Sequence, residues 1–150
     1  MKRASTVLWA AAGGAALALS LGFAAVSAGN PMEERQVTMK AVGQSMKEGA
    51  GLNSPATFDA AKAKTAMDSV AAAAKKLKAL YPPGSGSDPK SAADPKIWEN
   101  KADFDKKLAE MGAAATAAGK VTTAEAYKPA YAALGATCKS CHDIYRKKKA

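Results

Sequence analysis

Between Glu33 and Glu48, Met39, Val42 and Met46 recur at intervals of three and four among polar residues, which predicts a helix with one inward face. A second predicted helix takes Ser54 as its cap and Pro55 in its first turn, then runs through alanine-rich sequence to about Leu80. Tyr81-Pro82-Pro83-Gly84 stops it. The polar, turn-rich stretch from Ser85 to Ala93 reads as a loop within one domain, because neither flank alone could bury a core. Asp94-Pro95 then opens a third helix whose apolar face is Ile97, Trp98, Phe104, Leu108 and Met111 and whose end is marked by Gly119. The last helix starts at a capping box formed by Thr122 and Glu125 and continues towards Arg146. Pro129 interrupts that pattern by forfeiting a backbone hydrogen bond, which predicts a kink or a later start. Amphipathic helices with few β-branched residues imply an all-α antiparallel four-helix bundle.

The core of such a bundle is rich in alanine and therefore thin. Ahead of it, Lys2 and Arg3 precede an apolar stretch from Val7 to Val26, and Val26-Ser27-Ala28 offers small side chains for processing. Residues 1–28 therefore read as a cleaved secretory signal peptide and 29–150 as one domain, soluble, without a membrane span after processing and delivered to the periplasm. The chain has a formal charge of +9, and loss of Lys2 and Arg3 leaves it strongly basic. Lys139, Arg146, Lys147, Lys148 and Lys149 gather near its end, a patch suited to steering an acidic redox protein partner, with an effect that decays with salt. No recognition motif accompanies the charge, so nucleic acid is not an expected partner.

The chemistry concentrates in Cys138-Lys139-Ser140-Cys141-His142, which holds both cysteines and the one histidine of the chain. This spacing attaches a haem covalently: the two thiols add to the vinyl groups, and the imidazole reaches the iron. One haem c is the ceiling, and ligation by two histidines is excluded. A thioredoxin-like pair normally follows a strand of an α/β fold, whereas these cysteines lie between helical segments. Structural zinc needs four ligands, and two sulfurs with one nitrogen fall short. An inert or disulfide-bonded pair beside a surface histidine is the remaining alternative. No P-loop, dinucleotide fingerprint or nucleophile–histidine–acid set is present, so the chain does not read as an enzyme.

With Thr137-Cys138-Lys139-Ser140-Cys141-His142-Asp143-Ile144-Tyr145-Arg146 near the carboxyl end, Arg35-Gln36-Val37-Thr38-Met39 early, the Leu80 to Gly84 stop, and Ile97-Trp98-Glu99 with Phe104, the chain resembles a class II cytochrome c. That group contains cytochromes c′ and the low-spin cytochromes c-556. The resemblance implies a left-handed four-helix bundle, commonly a homodimer, with the haem attached near the C-terminal end of the last helix. It gives Cys138 and Cys141 the thioether role, His142 the proximal iron ligand, Arg35 a place near the haem propionates and Met39 the distal face. A guanidinium pairs well with a carboxylate, and Arg35 lies one helical turn before Met39, so the two can border one side of a haem.

Met39 decides the expected function. A sulfur bonded to iron gives a six-coordinate low-spin centre for single-electron transfer, the reading favoured by Met39-Lys40-Ala41-Val42-Gly43 followed by Met46-Lys47. A methionine that only covers the iron gives the alternative, a five-coordinate cytochrome c′ that binds or buffers nitric oxide or carbon monoxide. Met32 and Met46 are poorer ligand candidates. Trp98, Phe104, Tyr131 and Tyr145 are expected to pack the bundle or the haem edge.

Overall fold

The computed structural model describes residues 29–148; the leader expected over residues 1–28 lies outside the described residues. Helix α1 spans Pro31–Ala50, α2 Ala60–Ala79, α3 Lys96–Glu99, α4 Lys101–Ala118 and α5 Ala124–Tyr145. Among the described residues the one extended pairing is a single bridge between Ala93 and Arg146. The fold is all-α, as expected, and none of the described helices is long and apolar enough to cross a membrane.

Local chemistry sets the helix ends. Asn30 accepts a hydrogen bond from the Met32 amide and Pro31 occupies the first position of α1. The second helix begins later than Ser54 and Pro55 suggest. The Ser54 hydroxyl is paired with that of Thr57, the Phe58 amide donates to the Ser54 carbonyl, and residues 54–57 form a turn. Asp59 then caps α2 by accepting from the Lys62 amide at 3.0 Å. The expected third helix is two helices. Asn100, with φ −131° and ψ 58°, closes α3 and caps α4, and Gly119 ends α4 where expected.

Thr123 rather than Thr122 caps α5, its hydroxyl accepting from the Ala126 amide at 3.3 Å. The later start that Pro129 suggested does not occur, because Pro129 lies inside the continuous helix with its ring exposed. One missing backbone bond is outweighed by the burial of Ala124, Tyr127, Leu134 and Tyr145 on the same helix.

α1 packs on α2, α2 on α4 and α4 on α5. Lys76 near the end of α2 pairs with Glu34 near the start of α1, and Tyr145 at the end of α5 bonds Asp103 at the start of α4, so both pairs run antiparallel. The central core is lined by Ala63, Ala66, Met67, Val70 and Leu77 of α2 against Phe104, Leu108, Met111 and Ala115 of α4. α1 and α5 are not a close-packed pair. At one end they are joined by two phenols: Tyr127 donates to the Gly49 carbonyl at 3.3 Å, and Tyr131 donates to the Met46 carbonyl.

Gly49 sits where these elements cross. A Cβ there would lie 2.7 Å from the Tyr127 hydroxyl, 2.8 Å from the Tyr131 ring and 2.9 Å from the Met67 methyl. Alanine favours a helix over glycine by about 1 kcal/mol. Overpacking costs about 1–3 kcal/mol, and two loosened hydrogen bonds add about 1 kcal/mol each. Gly49→Ala is therefore expected to destabilise the fold by about 2–4 kcal/mol, read as a lowered midpoint in urea. An unchanged midpoint would show that the tyrosines shift aside at no cost.

Candidate haem site

α5 carries Cys138 and Cys141 three residues apart, so both face the same side, and both are half-buried free thiols packed against the core. Burial pushes the Cys138 thiol up and the Cys141 thiol up to about 11; Thr137 opposes the first and Lys107 the second. Both are neutral thiols at neutral pH. A dithiol oxidoreductase needs a thiol of lowered pKa, so this environment argues against the thioredoxin-like alternative. Among the described residues no three His, Cys, Asp or Glu side chains cluster as metal ligands, which removes support from structural zinc.

His142 follows directly and opens onto a depression of about 630 Å³ that it shares with Lys139, Asp143, Arg146, Lys147 and Lys148. Partial burial lowers its pKa, Arg146 lowers it further and Asp143 opposes them. Those effects favour the neutral imidazole, the form that ligates a metal.

Across the bundle, α1 places Arg35 with only 4% of its surface exposed. Its guanidinium donates through Nη1 to the Ser85 hydroxyl at 3.1 Å and through Nη2 to the Ser85 carbonyl at 2.7 Å. It also lies 4.7 Å from the centre of the Tyr81 ring and 5.9 Å from that of Trp98. Burial lowers its pKa and the Tyr81 and Asp88 neighbours raise it, but an arginine stays charged. Among the described residues no carboxylate lies within ion-pair distance of Arg35. A buried cation held by neutral partners is costly, and an anionic group would compensate it.

The two tyrosine bonds set an antiparallel register between α1 and α5. Carried about two to three turns further, that register sets Met39 and Arg35 opposite the turn of α5 that bears Cys138, Cys141 and His142. Burial raises the Tyr131 and Tyr81 phenols, Tyr131 lies close enough to Cys138 and Tyr81 to Cys141 for the thiols to add to that rise, and Tyr81 and Arg35 act on each other. Met39 is half-buried and packed against the core.

Arg35 and Met39 on α1 are thus set opposite the cysteine turn of α5, while His142 is exposed beside that turn among Lys139, Arg146, Lys147 and Lys148. This donor set fits a covalently held haem: two thiols on one face, an adjacent imidazole, and a guanidinium for a propionate. Tyr81 and Ser85 belong to the region and escaped sequence reasoning. Tyr81 reads only as part of a helix stop and Ser85 only as loop. Trp98 packs as expected, its Nε1–H donating to the Pro82 carbonyl at 2.9 Å, while Gly86 lies so close to its ring that a Cβ would stand 2.4 Å away.

The family model described as "Cytochrome C'" matches residues 30–146. The chain is 39% identical over 133 residues to a cytochrome c′ of Rhodopseudomonas palustris, covering 87% of this chain and 90% of the relative. It is also 39% identical over 128 residues to a cytochrome c-556 of Agrobacterium fabrum, covering 83% and 86%. The solved structure of a cytochrome c′ from Rhodopseudomonas palustris superposes with a TM-score of 0.75 at 38% identity, over 81% of this chain and 98% of that one.

These matches overturn the expectation of a low-spin electron carrier with Met39 as sixth ligand. Cytochromes c′ match most of the chain in both sequence and structure, which supports a five-coordinate, high-spin, gas-binding centre instead. The run from Met39 to Gly43 carries no signal for bond formation. A thioether that reaches the iron and one that only covers it need the same helix face and the same flexibility.

Proposed function

We propose that this chain, which belongs to the cytochrome c′ and cytochrome c-556 family of class II c-type cytochromes, binds or buffers a diatomic gas at a five-coordinate haem iron. Family membership brings one haem c, attached covalently through two cysteines, here Cys138 and Cys141, and makes the chain a haem protein rather than an enzyme. The haem supplies an iron with one open position for a ligand such as nitric oxide or carbon monoxide. The observation that carries this reading is the match of cytochromes c′ to most of the chain in both sequence and structure; Arg35 and the half-buried Met39 on α1, opposite the cysteine turn of α5, are consistent with it.

His142 is the proximal ligand in this reading and Arg35 the partner of a propionate, a charge-assisted pairing that also relieves the cost of its burial. Met39 would serve as apolar cover on the α1 side of the haem rather than as a ligand. Its flexible side chain excludes water and gives way to a small uncharged ligand. Sequence signals and family membership together support a periplasmic protein cut after Ala28, with 29–150 as a left-handed four-helix haem domain that pairs as a homodimer. The cations around His142 favour an acidic protein partner.

Spectra of the purified protein test the central claim. The oxidised form is expected to be high spin, and the reduced form to bind carbon monoxide. A low-spin oxidised spectrum with a thioether-to-iron charge-transfer band, and no carbon monoxide binding, would refute it.

A further inference from the structure

The described tyrosines differ in one respect that gas binding does not use. Tyr127 and Tyr131 donate their hydroxyls to the backbone carbonyls of Gly49 and Met46. A carbonyl accepts a hydrogen bond but is far too weak a base to keep the proton. Tyr81 lies with the Arg35 guanidinium 4.7 Å from its ring centre, so withdrawing an electron from it would place positive charge beside a cation. Trp98 is 5.9 Å from the same cation, with its indole N–H on the Pro82 carbonyl. Tyr145 alone among these donates to a carboxylate, at 2.7 Å to Asp103 Oδ2.

We propose that the Tyr145–Asp103 pair is a proton-coupled electron-donor site, at which the Tyr145 phenol gives one electron to a strong one-electron oxidant as its proton passes to Asp103. The O–H bond of Tyr145 breaks, an O–H bond forms on Asp103 Oδ2, the oxidant is reduced by one electron, and a neutral tyrosyl radical remains. No charge is left on the phenol, which matters in a low-dielectric site where an unneutralised cation radical is costly. Asp103 lies in the first turn of α4, so its carboxylate is held by the helix start.

The surroundings suit the role. Tyr145 is 4% exposed, which shields a radical from solvent and from coupling to a second molecule. Its ring is held edge-on by Phe104 at 5.3 Å between centroids, and its carbonyl accepts from the Asp94 amide at 2.9 Å. The phenol is therefore fixed relative to its acceptor. Tyr145 lies in the last turn of α5, three residues beyond His142, so the donor stands at the end of the bundle that carries the cysteine motif. This assignment uses only the Tyr145–Asp103 geometry and stands apart from how the iron binds gas.

The test oxidises the intact haem protein with photogenerated ruthenium(III) tris-bipyridine, an outer-sphere oxidant that does not require the iron. Electron paramagnetic resonance should show a tyrosyl radical, with ring-deuterated tyrosine narrowing the signal. Spin trapping followed by peptide mapping should place the adduct on the Tyr145 peptide; an adduct on Tyr81, Tyr127, Tyr131 or Trp98 instead would overturn the proposal without any variant. Tyr145→Phe keeps the ring on Phe104 and should lose the signal, whereas Tyr131→Phe should retain it. Asp103→Asn accepts the hydrogen bond but not the proton, so radical formation should slow and its solvent deuterium isotope effect should change. Formation as fast as in the parent, with the same isotope effect, would exclude Asp103 as the acceptor and sink the pair.

Discussion

A chain carrying Cys138→Ala together with Cys141→Ala is expected to lack covalent haem and to lose cooperative unfolding, with α1 and α5 loosening first. Many buried positions of α2 and α4 are alanine, at 63, 66, 74, 115 and 118, and these contribute little apolar area each. A ligand held at a thousand times its dissociation constant stabilises a fold by about 4 kcal/mol. Covalent attachment places the haem at least that firmly, against a total stability of about 5–15 kcal/mol for a domain. The losses should be uneven. α2 and α4 share the central packing and should keep amide protection, whereas α1 and α5 each pack mainly on one neighbour and are joined to one another chiefly by two phenol hydrogen bonds, so they should exchange sooner. Hydrogen exchange with circular dichroism melting reads both effects. A cooperative melt near that of the haem-bearing protein would show that the apolar core suffices alone.

The same thin core explains why the sequence was readable where it was. With so few large side chains, each stands out at helical spacing, and Val42, Ile97, Phe104, Leu108 and Met111 are buried as their periodicity requires. The helix count was less legible. Asn100 breaks the third segment without disturbing that spacing, since Ile97 and Phe104 remain seven residues apart and face the same core. Asp59 displaced Ser54 as a cap because Ser54 is engaged with Thr57, a contact within a turn that a cap pattern does not register.

At the site, the attachment motif is local and was plain from five consecutive residues. The clamp on Arg35 is not local. Ser85 lies fifty positions away in a loop that sequence describes only as polar, and Tyr81 reads as the end of a helix. What makes Arg35 informative is a charge buried among neutral partners, and burial is a property of the folded chain. Tyr145 was expected to pack, and it does pack on Phe104; its bond to Asp103 spans forty-two positions and has no signature in either segment.

Met39→Ala is expected to leave the oxidised spectrum high spin and to speed carbon monoxide or nitric oxide binding to the reduced protein. In the five-coordinate reading an entering ligand must first displace the Met39 side chain from its packing. Fully burying a methionine is worth about 1.5–3 kcal/mol, and about half of that for the half-buried Met39 slows entry by about four- to tenfold. Removing the side chain should recover that factor in the association rate, measured by stopped flow or flash photolysis. The stability cost should sit near the lower end of the range of about 2–5 kcal/mol for truncating a buried methionine, because Met39 is only half-buried. Met39→Leu separates cover from coordination. It keeps the apolar volume without the sulfur, so it should bind gas about as slowly as the parent and keep the parent spectrum. If Met39→Ala instead turned a low-spin parent high spin, the sulfur would be a ligand after all. If the association rate did not change, the ligand path would lie elsewhere on the distal face, and Met39 would serve only to fill the gap between α1 and the haem.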